Sequence, residues 1–271
     1  MKKRALLLYC FIFFVQVSYG YVDTIFIYSN AMHRQVKAIV IKPADYWQEK
    51  KFPVVYLLHG AFGKYSNWIT KVPALEGMAN QYHMLIVCPD GADNSWYFDS
   101  PVDSTYRFET HVAFEVPQYI DAHYKTIADR AHRAIAGLSM GGHGAFFLAF
   151  RHAEIFGACG SMSGALNVSG IKDHYDLGKR LGDSVRNAHY YNDWSVIKII
   201  EKYPKDSLAI IFDCGLDDSH SAVNRAVHEK LVQMKIPHDY IERPGGHNWI
   251  YWANAVKYQL LFFHDFFSRK N

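Results

Sequence analysis

The fold class this sequence predicts is α/β: a mostly parallel central β-sheet covered by helices on both faces. Three observations predict it. Continuous apolar runs of strand length end in glycine or another turn residue. Amphipathic segments of helix length separate them. Strands and helices alternate along the chain instead of being segregated. An unbroken apolar run is what a strand buried on both faces requires, and strand-helix-strand alternation produces parallel pairing.

The chain opens on MKKRALLLYCFIFFVQVSYG. A basic start, an apolar centre and small residues at Ser18 and Gly20 describe a secretory leader cut after Gly20. The apolar run is short of the ~20 residues a membrane span needs. Cys10 lies inside it without a small residue just before, which does not fit lipid attachment. Residues 1–20 are therefore expected to be a signal peptide, and residues 21–271 a single domain that is secreted or periplasmic. No stable membrane insertion is expected once the leader is gone. The whole chain carries 29 basic and 26 acidic residues, and the leader takes Lys2, Lys3 and Arg4 with it. The remainder is formally neutral, so neither a nucleic-acid groove nor an anionic membrane surface is indicated. Cys88, Cys159 and Cys214 remain, at long spacing. They read as buried free thiols, with one opportunistic pair as the alternative. No CxxC pair or Cys/His cluster points to a metal.

The elements follow in order. DTIFIYS and QVKAIVI are opening strands, the second partly alternating. FPVVYLLHG, HMLIVCP, RAIAGLS, IFGACGSM and LAIIFDCG are the buried runs, and HDYIER is the last strand. Helices are expected over Pro73–Tyr82, Glu109–His123, Gly141–His152, Ser219–Lys235 and from about Trp249 to Phe267. Residues 167–198 break the rhythm with Tyr, His and Asp throughout. They form either an insertion capping the site or a surface excursion without a role. In sheets of this kind ligands bind outside the carboxyl ends of the strands, so chemistry is sought just after each buried run.

IAGLSMGGHGAF holds the strongest signal. Gly137-Leu138-Ser139-Met140-Gly141 fits G-x-S-x-G, after a buried strand and before a helix. A turn this tight strains the serine backbone and exposes its hydroxyl where the helix N-terminus presents unpaired N–H groups. The competing motif, a phosphate-binding glycine turn, lacks its lysine and has no G-x-G-x-x-G. A serine hydroxyl needs a base, and the base an orienting acid. Among fifteen histidines, His247 stands out on the glycine turn of RPGGHNWIYW, between the last strand and the last helix. His143, one turn past the serine, reads as a helix residue. The acid is sought at Asp213, within or at the end of the strand LAIIFDCG, or at Asp217 and Asp218 on the loop past Gly215, and spacing does not separate the last two. Backbone donors for a developing oxyanion are expected at Met140 and at Ala61 or Phe62.

VVYLLHGAFGKYSNW, NSWYFDSP, YIDAHYKT, AIAGLSMGGHGAFFLAF, SGAL, DCGLDD and GGHNWIYW, in this order, resemble the esterase D and feruloyl esterase type of the esterase family. That family includes feruloyl, acetyl xylan and tributyrin esterases, S-formylglutathione hydrolases and mycobacterial mycolyltransferases. The resemblance runs from about Pro53 to the last helix. It implies an α/β-hydrolase fold and ester hydrolysis through an acyl-serine, with no metal or other cofactor. It favours Asp218 as the acid, because the family's acid ends a segment of the CGLDD kind, and Ala61 as the second oxyanion donor. The family often has GGHDW where this chain has Asn248, a change beside the base that bears on local hydrogen bonding.

Trp68, Trp96, Tyr97, Phe98, Trp249 and Trp252 fall in or beside post-strand loops. Two or three are expected to line the site, with Trp68, Trp96 and Trp249 the substrate-binding candidates; the others are core. A secreted, neutral, aromatic-rich esterase points to a small-molecule or carbohydrate ester, the acyl group feruloyl, acetyl or another short chain. The leader argues against S-formylglutathione hydrolase. Two other readings remain: an acyltransferase using a sugar or lipid hydroxyl, separated by product analysis with acceptor present, and an inactive glycan-binding scaffold, separated by an inert wild type.

Overall fold

The computed structural model describes residues 21–269 apart from 49, 172–173 and 203–206. The expected leader, residues 1–20, lies outside the described residues. Eight strands form one sheet: β1 (Tyr21–Ser29), β2 (Arg34–Lys42), β3 (Val54–Leu58), β4 (Leu85–Pro89), β5 (Arg133–Leu138), β6 (Ala158–Met162), β7 (Ala209–Gly215) and β8 (Asp239–Arg243). Their order is β1-β2-β4-β3-β5-β6-β7-β8. β1 and β2 pair antiparallel, as do β2 and β4, and every other pair is parallel. β3 through β7 are the apolar runs of the sequence, and β3 to β6 are buried along their whole length.

Alternate residues of each central strand face opposite layers. Val54, Tyr56 and Leu58 join a core that includes α5 (Met140–Arg151) and α9 (Ser221–Gln233), whereas Val55 and Leu57 join one that includes α10 (Trp249–Phe267). α1 (Asn67–Lys71) and α2 (Leu75–Gln81) belong to the α10 face. α4 (Val116–His123) lies on the α5 face and gives it Val116 and Ile120, whereas Phe108 of α3 (Phe108–Thr110) packs in a smaller cluster with Met32 and Val36, and Glu109 of α3 accepts from Arg151 at the end of α5. Between α3 and α4, His111–Glu115 open into a π-turn. Pro117 has no N–H to offer the Ala113 carbonyl, which breaks the α-helical ladder there. α5 is buried from Met140 to Phe150, as expected of a central helix that is apolar on all sides. Among its described residues the stretch from 167 to 199 carries a 3-10 turn, Val168–Ile171, and three short α-helices, α6 (Leu177–Leu181), α7 (Ala188–Asp193) and α8 (Val196–Ile199). Cys88, Cys159 and Cys214 are free and buried. Among the described residues no helix is long and apolar enough to cross a membrane.

The chain passes from β3 outward to β4 and returns to the other side of β3 as β5. This reversal opens a crevice at the carboxyl ends of β3 and β5, the place where such sheets bind ligands.

One polar group is locked between sheet and helix. Asp213 on β7 is fully buried, and its Oδ2 accepts a hydrogen bond from Gln259 Nε2 on α10 at 2.8 Å. Burial pushes this carboxyl up to about 6, against the opposing pull of Gln259 and Arg243. The unfolded carboxyl ionises near 4. Its contribution to stability is therefore present below that pH and is lost as the pH rises through about 6. Relative to Asp213→Asn, the wild type should lose at most about 3 kcal/mol between pH 4 and pH 7 and stay level above; thermal unfolding of both proteins across that range measures it.

Candidate active site

Ser139 joins β5 to α5 with φ 54° and ψ −118°. The glycines of the motif explain how a non-glycine residue is held there. A Cβ on Gly137 would overlap the Gly141 carbonyl, and one on Gly141 would overlap the His59 carbonyl and meet Leu58 O at 2.8 Å. These are backbone atoms, which cannot swing aside. Ser139 N–H donates to Met162 O (3.0 Å), and Ser139 O accepts from His143 N (3.0 Å) and Ala165 N (3.2 Å).

The loops after β7 and β8 meet in the same way. A Cβ on Gly215 would overlap the Gly245 carbonyl, which accepts from Asp217 N–H at 3.0 Å, and Gly245 has φ +135°. This contact brings Asp218 under His247. Both Asp218 carboxylate oxygens lie 3.0 Å from His247 Nδ1, and His247 Nε2 lies 2.9 Å from Ser139 Oγ. Of the three aspartates raised by the sequence, Asp217 is exposed, Asp213 is sealed against α10, and Asp218 reaches the ring. Burial alone would raise the Asp218 carboxyl. The His247 ring and His220 N–H (2.8 Å) outweigh it and hold the group below the usual carboxylate range. The His247 ring is packed edge to face by His220 and Trp252, each at 4.9 Å. Asn248 caps α10, its Oδ1 accepting from Tyr251 N–H at 3.1 Å, so the helix begins immediately after His247.

On the other side of Ser139, His59 organises the loop after β3. Its Nε2 accepts from Gly91 N–H and its Nδ1 donates to Gly60 O, both at 2.8 Å. Tyr97 OH donates to His59 O at 2.9 Å. Phe62 N–H is occupied by Asp93 O at 2.7 Å. Among the described residues Ala61 N–H has no such acceptor, and Met140 N–H heads α5 ahead of its first intrahelical bond.

A pocket of about 230 Å³ opens over Ser139, lined by Gly60, Ala61, Asn67, Leu138, His247 and Trp249, among others. The aromatic expectations divide here. Trp249 and Trp252 line the pocket. Trp68 and Trp96 do not: both are buried, at 0% and 1% exposure. Trp68 donates from Nε1 to Leu58 O (2.9 Å) and props Trp249 edge to face at 5.2 Å. Trp96 donates to Tyr175 O (3.0 Å) and packs on Phe98 and His143. Tyr97 and Phe98 are core as well. Missed by the sequence reading were Phe62 as a wall, and Tyr175, which residues 167–198 contribute to the pocket. Only its place in that aromatic-rich insertion could have marked Tyr175.

Gly141→Ala should cost about 1–3 kcal/mol by overpacking against the end of β3 and lower activity in parallel, since Ser139 and the Ala61 loop are displaced together; denaturant unfolding and turnover of one preparation measure both.

A family model described as "Putative esterase" matches residues 29–263. An acetyl esterase of Caldicellulosiruptor saccharolyticus is 29% identical over 256 residues, covering 85% of this chain and 95% of that protein. A solved ferulic acid esterase superposes with a TM-score of 0.80 at 29% identity, covering 92% of this chain and 99% of that one. A diacylglycerol acyltransferase/mycolyltransferase of Mycobacterium leprae is 36% identical over 141 residues, 49% of this chain and 42% of that protein. With an eight-stranded sheet of this order and a family match over most of its length, the chain belongs to this esterase family and is a carboxylic ester hydrolase of the α/β-hydrolase fold.

Proposed function

We propose that the chain cleaves esters of a short or single-ring acyl group through an acyl-Ser139 intermediate. The observation that carries this reading is the continuous path Asp218–His247–Ser139, with both hydrogen-bonded steps at 2.9–3.0 Å, beneath a small pocket. His247 Nε2 takes the proton of Ser139 Oγ as the oxygen attacks the ester carbonyl. Asp218 holds the ring with its proton on Nδ1 and stabilises the imidazolium. The N–H groups of Met140 and Ala61 receive the oxyanion. His247 returns the proton to the leaving alcohol, and water activated by the same ring releases the acid.

The volume argues for acyl size. About 230 Å³ lies below the ~300–1,000 Å³ typical of drug-sized ligand sites. An acetyl group or one aromatic ring matches a space of this size. The similar acetyl esterase and ferulic acid esterase support this class, and the leader expected over residues 1–20 supports action outside the cytoplasm, where acylated carbohydrate is a fitting substrate. A second reading, transfer of the acyl group to a sugar or lipid hydroxyl, draws on the likeness to the mycobacterial acyltransferase. Product analysis with an added sugar acceptor separates them: released acid supports hydrolysis, acylated acceptor supports transfer.

Wild type and Ser139→Ala are to be compared on acetyl and feruloyl esters. The variant should lose on the order of 10³–10⁶ in turnover, and equal activity of the two overturns Ser139 as nucleophile. Asp218→Asn should lose about 10⁴ in kcat at neutral pH by favouring the wrong tautomer of His247, whereas Asp217→Asn should stay within about twofold, since Asp217 is exposed and does not reach the ring.

A further inference from the structure

Two rings stand at the mouth of the Ser139 pocket and have no part in the proposed chemistry. Phe62 is 72% exposed and Tyr175 46% exposed, and both line the pocket. Their centroids are 6.2 Å apart with planes tilted by 51°, so the rings pack on each other and present one aromatic surface at the mouth. Both residues occupy the left-handed backbone region, with φ 57° and 55°. Bulky residues rarely sit there, and strain of this kind persists where the surroundings over-determine it.

One segment supplies those surroundings for both rings. Phe62 N–H donates to Asp93 O at 2.7 Å, and Trp96 Nε1–H donates to Tyr175 O at 3.0 Å. Asn94 Nδ2–H donates to Asp176 Oδ2 at 3.4 Å. Trp96 is itself sealed between Phe98, His143 and Tyr175. Core packing does not account for the two rings, since most of Phe62 and nearly half of Tyr175 face solvent. They are exposed apolar groups on a rigid base, at the entrance to a site too small to enclose an acyl group together with a sugar.

We propose that Phe62 and Tyr175 are specificity-determining residues that hold a six-membered ring of the ester against the pocket mouth, with Trp96 as the positioning residue behind Tyr175. This rests on ester cleavage at Ser139. The ligand chemistry is a flat ring with an apolar face, which both a phenolic acyl group and the pyranose of an acylated sugar present. Aromatic side chains are suited to holding such a ring, because they bring large contact area with few rotamers to lose on binding.

The test uses three substrates on the full protein: ethyl acetate, which has no ring; methyl ferulate, with its ring on the acyl side; and an acetylated methyl xyloside, with its ring on the alcohol side. The readout is the ratio of kcat/KM on each ring-bearing ester to that on ethyl acetate. Phe62→Ala and Tyr175→Ala should each lower a ratio about 3- to 10-fold, mainly through KM. A loss confined to methyl ferulate assigns the aromatic pair to the acyl ring, and one confined to the xyloside assigns it to the sugar. Trp96→Phe, which lacks the donor to Tyr175 O, should lower the same ratio as Tyr175→Ala and again through KM. Ratios unchanged in both alanine variants, with unfolding temperatures near wild type, overturn the proposal. Turnover of ethyl acetate by the wild type tests the esterase reading separately, so the two can fail independently.

Discussion

The backbone of one residue constrains the whole site. Ser139 sits at φ 54° and ψ −118°, outside the regions a serine adopts freely. It stays there because the turn has no room to relax. Gly141 lies against the carbonyls at the end of β3, Gly137 against Gly141, and a Cβ on Gly60 would meet that of Ser139 at 3.3 Å. The end of β3 and the turn after β5 therefore approach closely, with the Leu58 and His59 carbonyls directly against Gly141. The contact ties the turn that carries Ser139 to the loop that carries Ala61, so the proposed nucleophile and the proposed oxyanion donors cannot drift apart independently. The strain is offset by three backbone hydrogen bonds at Ser139 and by the burial of almost all of α5.

Two carboxylates five residues apart show how local partners decide ionisation. Asp213 and Asp218 both follow the apolar run of β7 and both are buried. Asp213 has one amide donor and a guanidinium 3.9 Å away, and burial wins: its carboxyl is pushed up to about 6. Asp218 receives the His247 ring and the N–H of His220, and these win instead. The ionised form is thus favoured where a neighbouring imidazolium would need it, and disfavoured where the group only ties β7 to α10.

This distinction limited what the sequence could reveal. Buried strands were legible because burial on both faces demands unbroken apolar runs, and Ser139 and His247 because their glycines mark tight turns after such runs. Asp217 and Asp218 are equally spaced candidates until the turn between β7 and α9 decides which side chain points inward, and only the family resemblance separated them. The aromatics were less legible still. A tryptophan in a post-strand loop can fold beneath the sheet end or stand at its mouth, and composition does not separate the two. Trp68 and Trp96 went inward, where they support Trp249 and Tyr175. Phe62 follows the same rule: Asp93 O occupies its N–H, and its ring is what reaches the pocket. Tyr175 lies in a stretch without periodicity, so nothing local marked it.

The site is assembled from two halves of the sheet. β3 and β5 place Ser139 and the Ala61 loop, whereas the ends of β7 and β8 and the start of α10 place Asp218 and His247. β6 lies between and sets their spacing. Ser139 N–H donates to Met162 O at the end of β6, and one residue further Ser163 N–H donates to Asp213 O. Leu138, Met162 and Asp213 lie in one register across the three strands. The sequence here is Gly160-Ser161-Met162-Ser163-Gly164, and a Cβ on Gly142 would already meet Ser161 Oγ at 2.6 Å. Small residues let α5 approach β6 closely enough for these bonds to form. A Cβ on Gly164 would overlap the side chains of Ser161 and Leu166, so both would have to turn aside from the space between α5 and β6. The 2.9 Å separation of Ser139 and His247 is thus a property of the middle of the sheet as much as of the two residues that show it.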